Sequence, residues 1–345
     1  MTSLGLGRSP SRRAFSRFWS NRTGRVSFLL FSCLFILSLL AEVLSNDRPI
    51  IVSYQGHLYF PLFVDYPETT FGGDLETSTD YLDPMIRTKL SEGANWVIFP
   101  PNHYSFDTLN YSLSMATPAP PSSENWLGTD DRGRDVVAIL LYGFRLSVLF
   151  GFALTAIGIC LGAFLGAIQG YFVGKTDLFI QRLVEVWSAV PELYLLLVIA
   201  SVFEPSLFVL FVFFSLFSWM GFSDYVRAEF LRNRKLDYVV AAEALGLRHD
   251  QIILRHVLPN SLTSSITFLP FRMSGAILGL TTLDFLGLGV SASAPSLGEL
   301  LAQGKDNIDA WWITLPTMGI LALTFLLLIF LGEALRDALD TRGAP

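Results

Sequence analysis

Hydrophobic positions in this chain run in long blocks rather than in short alternations. A bilayer core is crossed by a helix of roughly 20 mostly apolar residues. Six blocks meet that length: 26–44, 146–170, 184–203, 205–222, 265–288 and 312–332. Only Glu204-Pro205 separates the third from the fourth, which predicts a tight hairpin. The pattern predicts an all-α polytopic membrane protein with six transmembrane helices. A polar insert, 45–145, lies between helices 1 and 2, and a polar loop, 224–264, lies between helices 4 and 5. The core is then 146–335, flanked by tails at 1–25 and 336–345. Block 26–44 follows basic residues, as a signal peptide would. It is as long as a span and no small-residue cleavage site follows it, so a retained first helix is expected.

Lys and Arg gather on the cytoplasmic side of inner-membrane proteins. The N-terminal tail carries Arg8, Arg12, Arg13, Arg17, Arg22 and Arg25, and the C-terminal tail carries Arg336 and Arg342. Lys175 and Arg182 follow helix 2, and Arg227, Arg232, Arg234, Lys235, Arg248 and Arg255 follow helix 4. Only Lys305 follows helix 5. Both termini and the 224–264 loop are therefore expected in the cytoplasm. The insert holds 13 Asp or Glu and six Lys or Arg, and falls on the periplasmic side. It is aromatic and rich in Pro and Asp, with turn signals at Phe71-Gly72-Gly73 and Pro118-Ala119-Pro120-Pro121. Weak alternation over 51–64 predicts a hairpin. The Asn110-Tyr111-Ser112 sequon reads as chance.

Composition agrees with a lipid-facing protein. Of 345 residues, 52% are hydrophobic and 16% charged, against about a quarter charged in soluble domains. Mean hydropathy is +0.48. The net charge of −6 says little, because acidic and basic residues are segregated. Cys33 and Cys160 lie in apolar runs and read as small buried hydrophobes, with no disulfide framework or Cys metal site.

Gly158, Gly162, Gly166 and Gly170 recur every four residues in helix 2 and line one helical face. Such a stripe lets two backbones approach closely. It serves helix packing within one bundle, or a face that slides. The sequence Gly170-Tyr-Phe-Val-Gly174-Lys175-Thr176 imitates a phosphate-binding loop, but has three residues between the glycines where four are needed, and follows a membrane helix. Nucleotide binding by this chain is therefore excluded.

Glu192 and Arg272 stand well inside spans 3 and 5, at matching depth, while Glu185 and Asp284 fall near span ends and read as interfacial. Charges in lipid face a cavity or one another, so Glu192 and Arg272 are expected to pair or to line the pathway. The four histidines, His57, His103, His249 and His256, have no Cys or carboxylate companions completing a metal site. No Ser-His-Asp set or carboxylate pair points to catalysis.

The most informative polar segment runs from Asp237 to Asn260. Residues 238–245 are Ala-rich and helix-prone. Gly246 is suited to end that helix in a left-handed conformation. Residues 250–258 form a second amphipathic stretch with Ile253 and Val257 on one face, stopped by Pro259. Two short helices hinged at Gly246 would lie at the lipid headgroups, or form a knob that docks in a partner's groove.

This segment resembles the loop signature of permease subunits of binding-protein-dependent ABC importers: Glu-Ala-Ala, three residues, Gly, nine residues, Ile-x-Leu-Pro. Ala241, Ala242, Gly246, Leu258 and Pro259 match in spacing, with Val240 in place of the Glu and His256 in place of the Ile. Glu243 stands close enough to substitute for the missing carboxylate. Leu127-Gly-Thr-Asp-Asp-Arg-Gly-Arg-Asp135, followed by Tyr142-Gly143 and Arg145, resembles the stretch before helix 2 in dipeptide and oligopeptide permease C subunits. Asp284-Phe-Leu-Gly-Leu-Gly289, with Pro295-Ser296 and Gly298, resembles their stretch after helix 5. The long insert looks most like the Yej-type branch, linked to microcin C and oligopeptide uptake.

The resemblance implies a permease subunit that moves oligopeptides from periplasm to cytoplasm and carries out no catalysis itself. Its implied partners are a second homologous permease in a heterodimer, two ATPase subunits and a periplasmic peptide-binding protein. ATP and Mg would sit on the ATPases, with no cofactor on this chain and no nucleic acid among its partners. The segment holding Ala241, Ala242, Glu243, Gly246, His256, Leu258 and Pro259 would couple ATPase closure to the helices. Two competing readings are an ion-coupled secondary transporter and a membrane-anchored receptor acting through the insert.

Overall fold

The computed structural model describes residues 10–339 apart from Ser114, Pro205 and Ala292. The start of the basic tail with Arg8, Pro205 of the hairpin, and the last six residues with Arg342 lie outside the described residues.

Five helices are long and apolar enough to cross a membrane, and a sixth crossing is a bent pair. Span 1, Arg22–Leu39, begins where the side chain of Asn21 accepts a hydrogen bond from the Gly24 amide at 3.1 Å. Span 2, Val136–Phe172, has 37 residues and starts ten positions before its apolar block. At 1.5 Å per residue it is about 55 Å long, well beyond a core of about 30 Å. Asp135 caps it by accepting from the Ala138 amide at 2.8 Å. Arg145, which looks like a boundary in the sequence, lies inside the helix. It donates to both carboxylate oxygens of Glu42 at 2.7 and 2.9 Å, and its guanidinium sits over the Tyr142 ring.

Span 3 corrects the expectation of one helix over 184–203. Helices Gly174–Ser188 and Glu192–Val202 meet at 68°. Pro191 causes the break: it lacks an amide hydrogen and pushes the preceding residue away from helical backbone. The second half has eleven residues, about 16 Å, too short to cross alone. Span 4, Leu207–Asn233, extends beyond residue 222, so Asp224 and Arg227 lie on a helix rather than in a loop. Span 5 is Ile266–Phe285 and span 6 is Trp311–Leu339, with Pro316 inside it.

Span 2 is the centre of the bundle. Phe150 and Leu154 pack with Phe213 and Phe217 of span 4 and Leu280 of span 5. Phe144 and Val148 pack with Phe31 of span 1, Ile277 of span 5 and Leu328 of span 6. The expectation that the cysteines are buried fails: Cys33 and Cys160 are both free and exposed, facing outward from their helices.

The insert departs from an all-α description. Strands β1 (Ile51–Tyr54), β2 (His57–Tyr59) and β3 (Trp96–Ile98) form an antiparallel sheet in the order β2-β1-β3. The hairpin turns at Gln55 and Gly56, both with positive φ, as a two-residue turn matched to strand twist requires. It ends at Tyr59, short of residue 64. Helix Pro84–Ser91 covers the sheet, and Val52, Phe71, Tyr81, Ile86 and Leu90 form the core of the insert. Asn110 of the sequon is buried, and its amide nitrogen donates to Asn125 at 2.9 Å.

Candidate functional site: the knob between spans 4 and 5

Asp237–Ala244 forms a short helix, and Gly246 follows at φ +76°, the left-handed backbone expected at the hinge. The Gly246 amide donates to the Glu243 carbonyl and the Leu247 amide to the Ala242 carbonyl, closing the helix end. Beyond the hinge the structure departs from the sequence reading. His249–Ile252 is helical, Ile253–Val257 is a π turn, and helix Leu258–Ser265 follows with Pro259 in its first turn. Proline in a helix loses an amide donor and crowds the carbonyl four residues back. A π turn there carries the chain past Pro259 where an α-helix would stop. After a short tight turn over Ile266–Phe268 the helix continues into Leu269–Phe285. The second arm of the knob is therefore continuous with span 5.

One face of the knob is sealed. Val239, Ile252 and Val257 are fully buried and Ala242 nearly so, packed with Phe222, Val226 and Phe230 of span 4 and Ala167 and Tyr171 of span 2. The hydroxyl of Tyr171 stands 2.8 Å from Nδ1 of His249 and 3.3 Å from Oε1 of Glu243, joining both arms to the end of span 2. Arg234 donates to the Tyr171 carbonyl at 3.1 Å. The other face is open. Val240, Ala241 and Ala244 are exposed, and Leu245 at the tip is 80% exposed. His256 and Leu258 are half-buried in the second arm, beyond the hinge from Ala241.

The glycine stripe lies against span 4. A methyl group added at Gly158 or Gly162 would fall 2.9 Å from the Ser218 carbonyl oxygen and 2.7 Å from that of Trp219. At Gly166 and Gly170 it would collide with the Ser223 carbonyl oxygen and the Phe230 side chain. Arg227 of span 4 also grips Asp177 of the helix after span 2, through Nε and a terminal nitrogen at 2.5 and 2.7 Å. Spans 2 and 4 and the knob thus form one tightly packed unit. The imitation phosphate loop is a helix junction: Gly170 is buried against span 4, and Gly174 opens the next helix.

Glu192 and Arg272 do not pair. Arg272 donates to the Ser218 carbonyl of span 4. Glu192 opens the second half of span 3 and lines a cavity of about 280 Å³ with residues of spans 4 and 5. Equal depth along two helices does not make the side chains face each other.

The two other motifs prove to be frameworks on the insert side. Asp130, fully buried, receives Nε of Arg134 at 2.8 Å, and Arg132 donates to Glu299 at 2.7 Å. Asp135 accepts from Asn102 and Asn125 at 2.8 and 2.9 Å, and burial raises its carboxyl above the usual range. Asp284 accepts from the Ser296 hydroxyl and, at 2.9 Å, from the Val290 amide, folding the chain after span 5. Arg134 and Ser296 stand within the motifs they serve, whereas Glu299 and Asn102 lie 167 and 33 residues from their partners, too far to be read from the sequence. Among the described residues no group of three or more His, Cys, Asp or Glu is placed to hold a metal.

Residues 137–343 match the family described as binding-protein-dependent transport system inner membrane component. The chain is similar along nearly its whole length to two curated permeases. It is 46% identical to the peptidoglycan transport system permease protein YejE of Agrobacterium fabrum, covering 96% of this chain and 93% of that protein. It is 47% identical to the inner membrane ABC transporter permease protein YejE of Escherichia coli, covering 97% and 98%. Similarity to the oligopeptide transport system permease protein OppC of Haemophilus influenzae is 32% identity over 69% of this chain and 77% of that protein.

Proposed function

The chain belongs to the family of binding-protein-dependent ABC transporter inner-membrane permeases, multi-pass subunits without catalysis of their own, and on that premise we propose that it is the translocation subunit of a bacterial oligopeptide importer. The knob over 237–260 docks in an ATPase subunit. The observation that carries this reading is the knob's two-faced build: Val239, Ala242, Ile252 and Val257 are locked to spans 2 and 4, while Val240, Ala241 and Leu245 present an exposed apolar tip. Differential binding of that tip to open and closed ATPase states shifts the helices between inward- and outward-facing arrangements. The second arm passes the movement into span 5, and the glycine stripe passes it into span 2.

The remaining partners are a second homologous permease, completing the pore as a heterodimer, a second ATPase and a periplasmic peptide-binding protein. ATP and Mg bind to the ATPases. Both termini and the knob face the cytoplasm, where the Lys and Arg residues collect, and the insert faces the periplasm. The cargo is oligopeptide, including peptide-nucleotides of the microcin C kind. The Agrobacterium relative, whose name states peptidoglycan transport, suggests peptides released from the cell wall.

Gly246→Val tests the coupling. No atom lies within 4 Å of an added Cβ, so the substitution strains the backbone without a clash. In the reconstituted importer the variant is expected to insert normally and to retain ATP hydrolysis while losing peptide uptake. Full uptake by this variant refutes the coupling role, and uptake without any ATPase supports an ion-coupled carrier instead.

A further inference from the structure

Glu192 is an acidic side chain in an otherwise apolar half-helix, exposed on this chain and without an ion pair among the described residues. Three features define its setting. It occupies the first turn of Glu192–Val202, where unpaired amides give the helix N-terminus a positive partial charge. The break at Pro191 places that terminus within span 3 rather than at its end. It also opens on the 280 Å³ cavity, whose wall is mostly apolar: Leu196 of span 3, Phe213 and Phe214 of span 4, and Leu278 and Leu283 of span 5, with Thr282 the one other polar side chain.

No ion pair joins this carboxylate to a cation among the described residues. Arg272, the one cation inside the facing span, donates a terminal nitrogen to the Ser218 carbonyl rather than to Glu192, and its Nε is buried without a partner. Arg182, the nearest cation in sequence, pairs with Glu185 at 2.5 Å. Opposite Glu192, span 5 presents Gly275, with no atom within 4 Å of an added Cβ, and Gly279, touched only by the Phe214 ring. Gly275 leaves room in the cavity that Glu192 lines. A membrane-embedded carboxylate facing open space needs a cation to offset its desolvation, and apolar walls suit a cation borne on a hydrocarbon stem. The cavity is smaller than a drug-sized pocket and fits one residue of a longer substrate.

We infer that Glu192 is a cation-recognition point on the translocation pathway, binding the α-ammonium or a basic side chain of a passing peptide and biasing the permease toward cationic cargo. The inference rests on the peptide-importer reading and adds a specificity residue to it. Glu192 contacts substrate and takes no part in chemistry.

The test uses the complete importer in vesicles with Ala-Ala-Ala, Ala-Lys-Ala and N-acetyl-Ala-Ala-Ala as cargo, comparing wild type, Glu192→Gln and Glu192→Asp. Each variant is expressed as a ratio to wild type for the same peptide, so capture by the binding protein cancels. Glu192→Gln is expected to lower uptake of cation-bearing peptides roughly tenfold or more, the scale of one lost charge-assisted contact. The loss should be several-fold smaller for the acetylated peptide, and Glu192→Asp should recover much of the preference. A larger loss for Ala-Lys-Ala than for Ala-Ala-Ala assigns the contact to the side chain, and equal losses assign it to the α-ammonium. Equal loss for all three peptides, or loss of co-purification with the second permease, makes Glu192 a structural or assembly residue and overturns the inference alone. An unchanged pattern in Glu192→Gln also overturns it. A wild-type importer that moves no peptide overturns the function reading itself.

Discussion

Gly166→Ala should separate the two central spans of the bundle. The added methyl would collide with the Ser223 carbonyl oxygen, and would lie 2.9 Å from Cβ of Val226 and 3.0 Å from the Arg227 amide nitrogen. Those atoms are backbone or the root of a side chain, so no rotamer change relieves the contact. Span 4 must retreat along a row in which Gly162 and Gly170 pack equally closely. Overpacking of this kind costs roughly 1–3 kcal/mol, against a helix-propensity gain of about 0.5–1 kcal/mol for replacing glycine. The midpoints of these ranges leave a net loss of about 1 kcal/mol, or a few degrees in melting temperature at roughly 2–4 °C per kcal/mol. Gly319→Ala in span 6 is the matched control: no atom lies within 4 Å of its added methyl, so only the propensity gain remains and the melting temperature should hold or rise slightly. Thermal melts of the purified chain in one detergent measure both. Gly166→Ala melting with wild type, or Gly319→Ala falling as far as Gly166→Ala, refutes the packing argument.

Two further outcomes follow from the charges. A Glu192→Arg, Arg272→Glu double variant should be no better in uptake than the sum of its single losses, since the two side chains do not meet; rescue by the double swap would restore the pair. On the insert, burial raises the Asp47 carboxyl above its ordinary 3.8 despite the hydrogen bond from Thr108. The folded form then holds this proton more tightly than the unfolded chain. Its contribution is complete below 3.8 and is lost as pH rises through the raised value. Melts at stepped pH from 4 to 7 should show Asp47→Asn losing that fall in stability, and an unchanged pH slope would contradict it.

Much of the architecture was legible because apolar blocks and charge placement are one-dimensional signals. Every predicted block falls on a crossing helix or the bent pair, though spans 2 and 4 run about ten residues beyond theirs, and Gly246 after an Ala-rich run announced its left-handed turn. The failures share a cause: each depends on a partner distant in sequence or on local backbone accommodation. Arg145 read as the last residue of the insert, just before an apolar block, yet it lies inside span 2 and Glu42, 103 residues away, pairs with its charge. Pro259 read as a stop, but a π turn just before it lets the helix continue into span 5. Pro191 was visible in span 3, though apolarity on both sides hid the 68° bend it causes. Glu192 and Arg272 matched in depth, but the direction each side chain faces is set by the packing of span 4.

The central claim is that the exposed tip of the knob sits in an ATPase subunit, and proximity tests it most directly. With Cys33 and Cys160 replaced by serine, Leu245→Cys places one thiol at the tip and Gly56→Cys places one at the hairpin turn of the insert. A short thiol-to-amine crosslinker applied to the assembled importer is predicted to join position 245 to an ATPase chain and to leave position 56 free of it. Absence of an ATPase crosslink at 245, or one of equal yield at 56, would contradict the account.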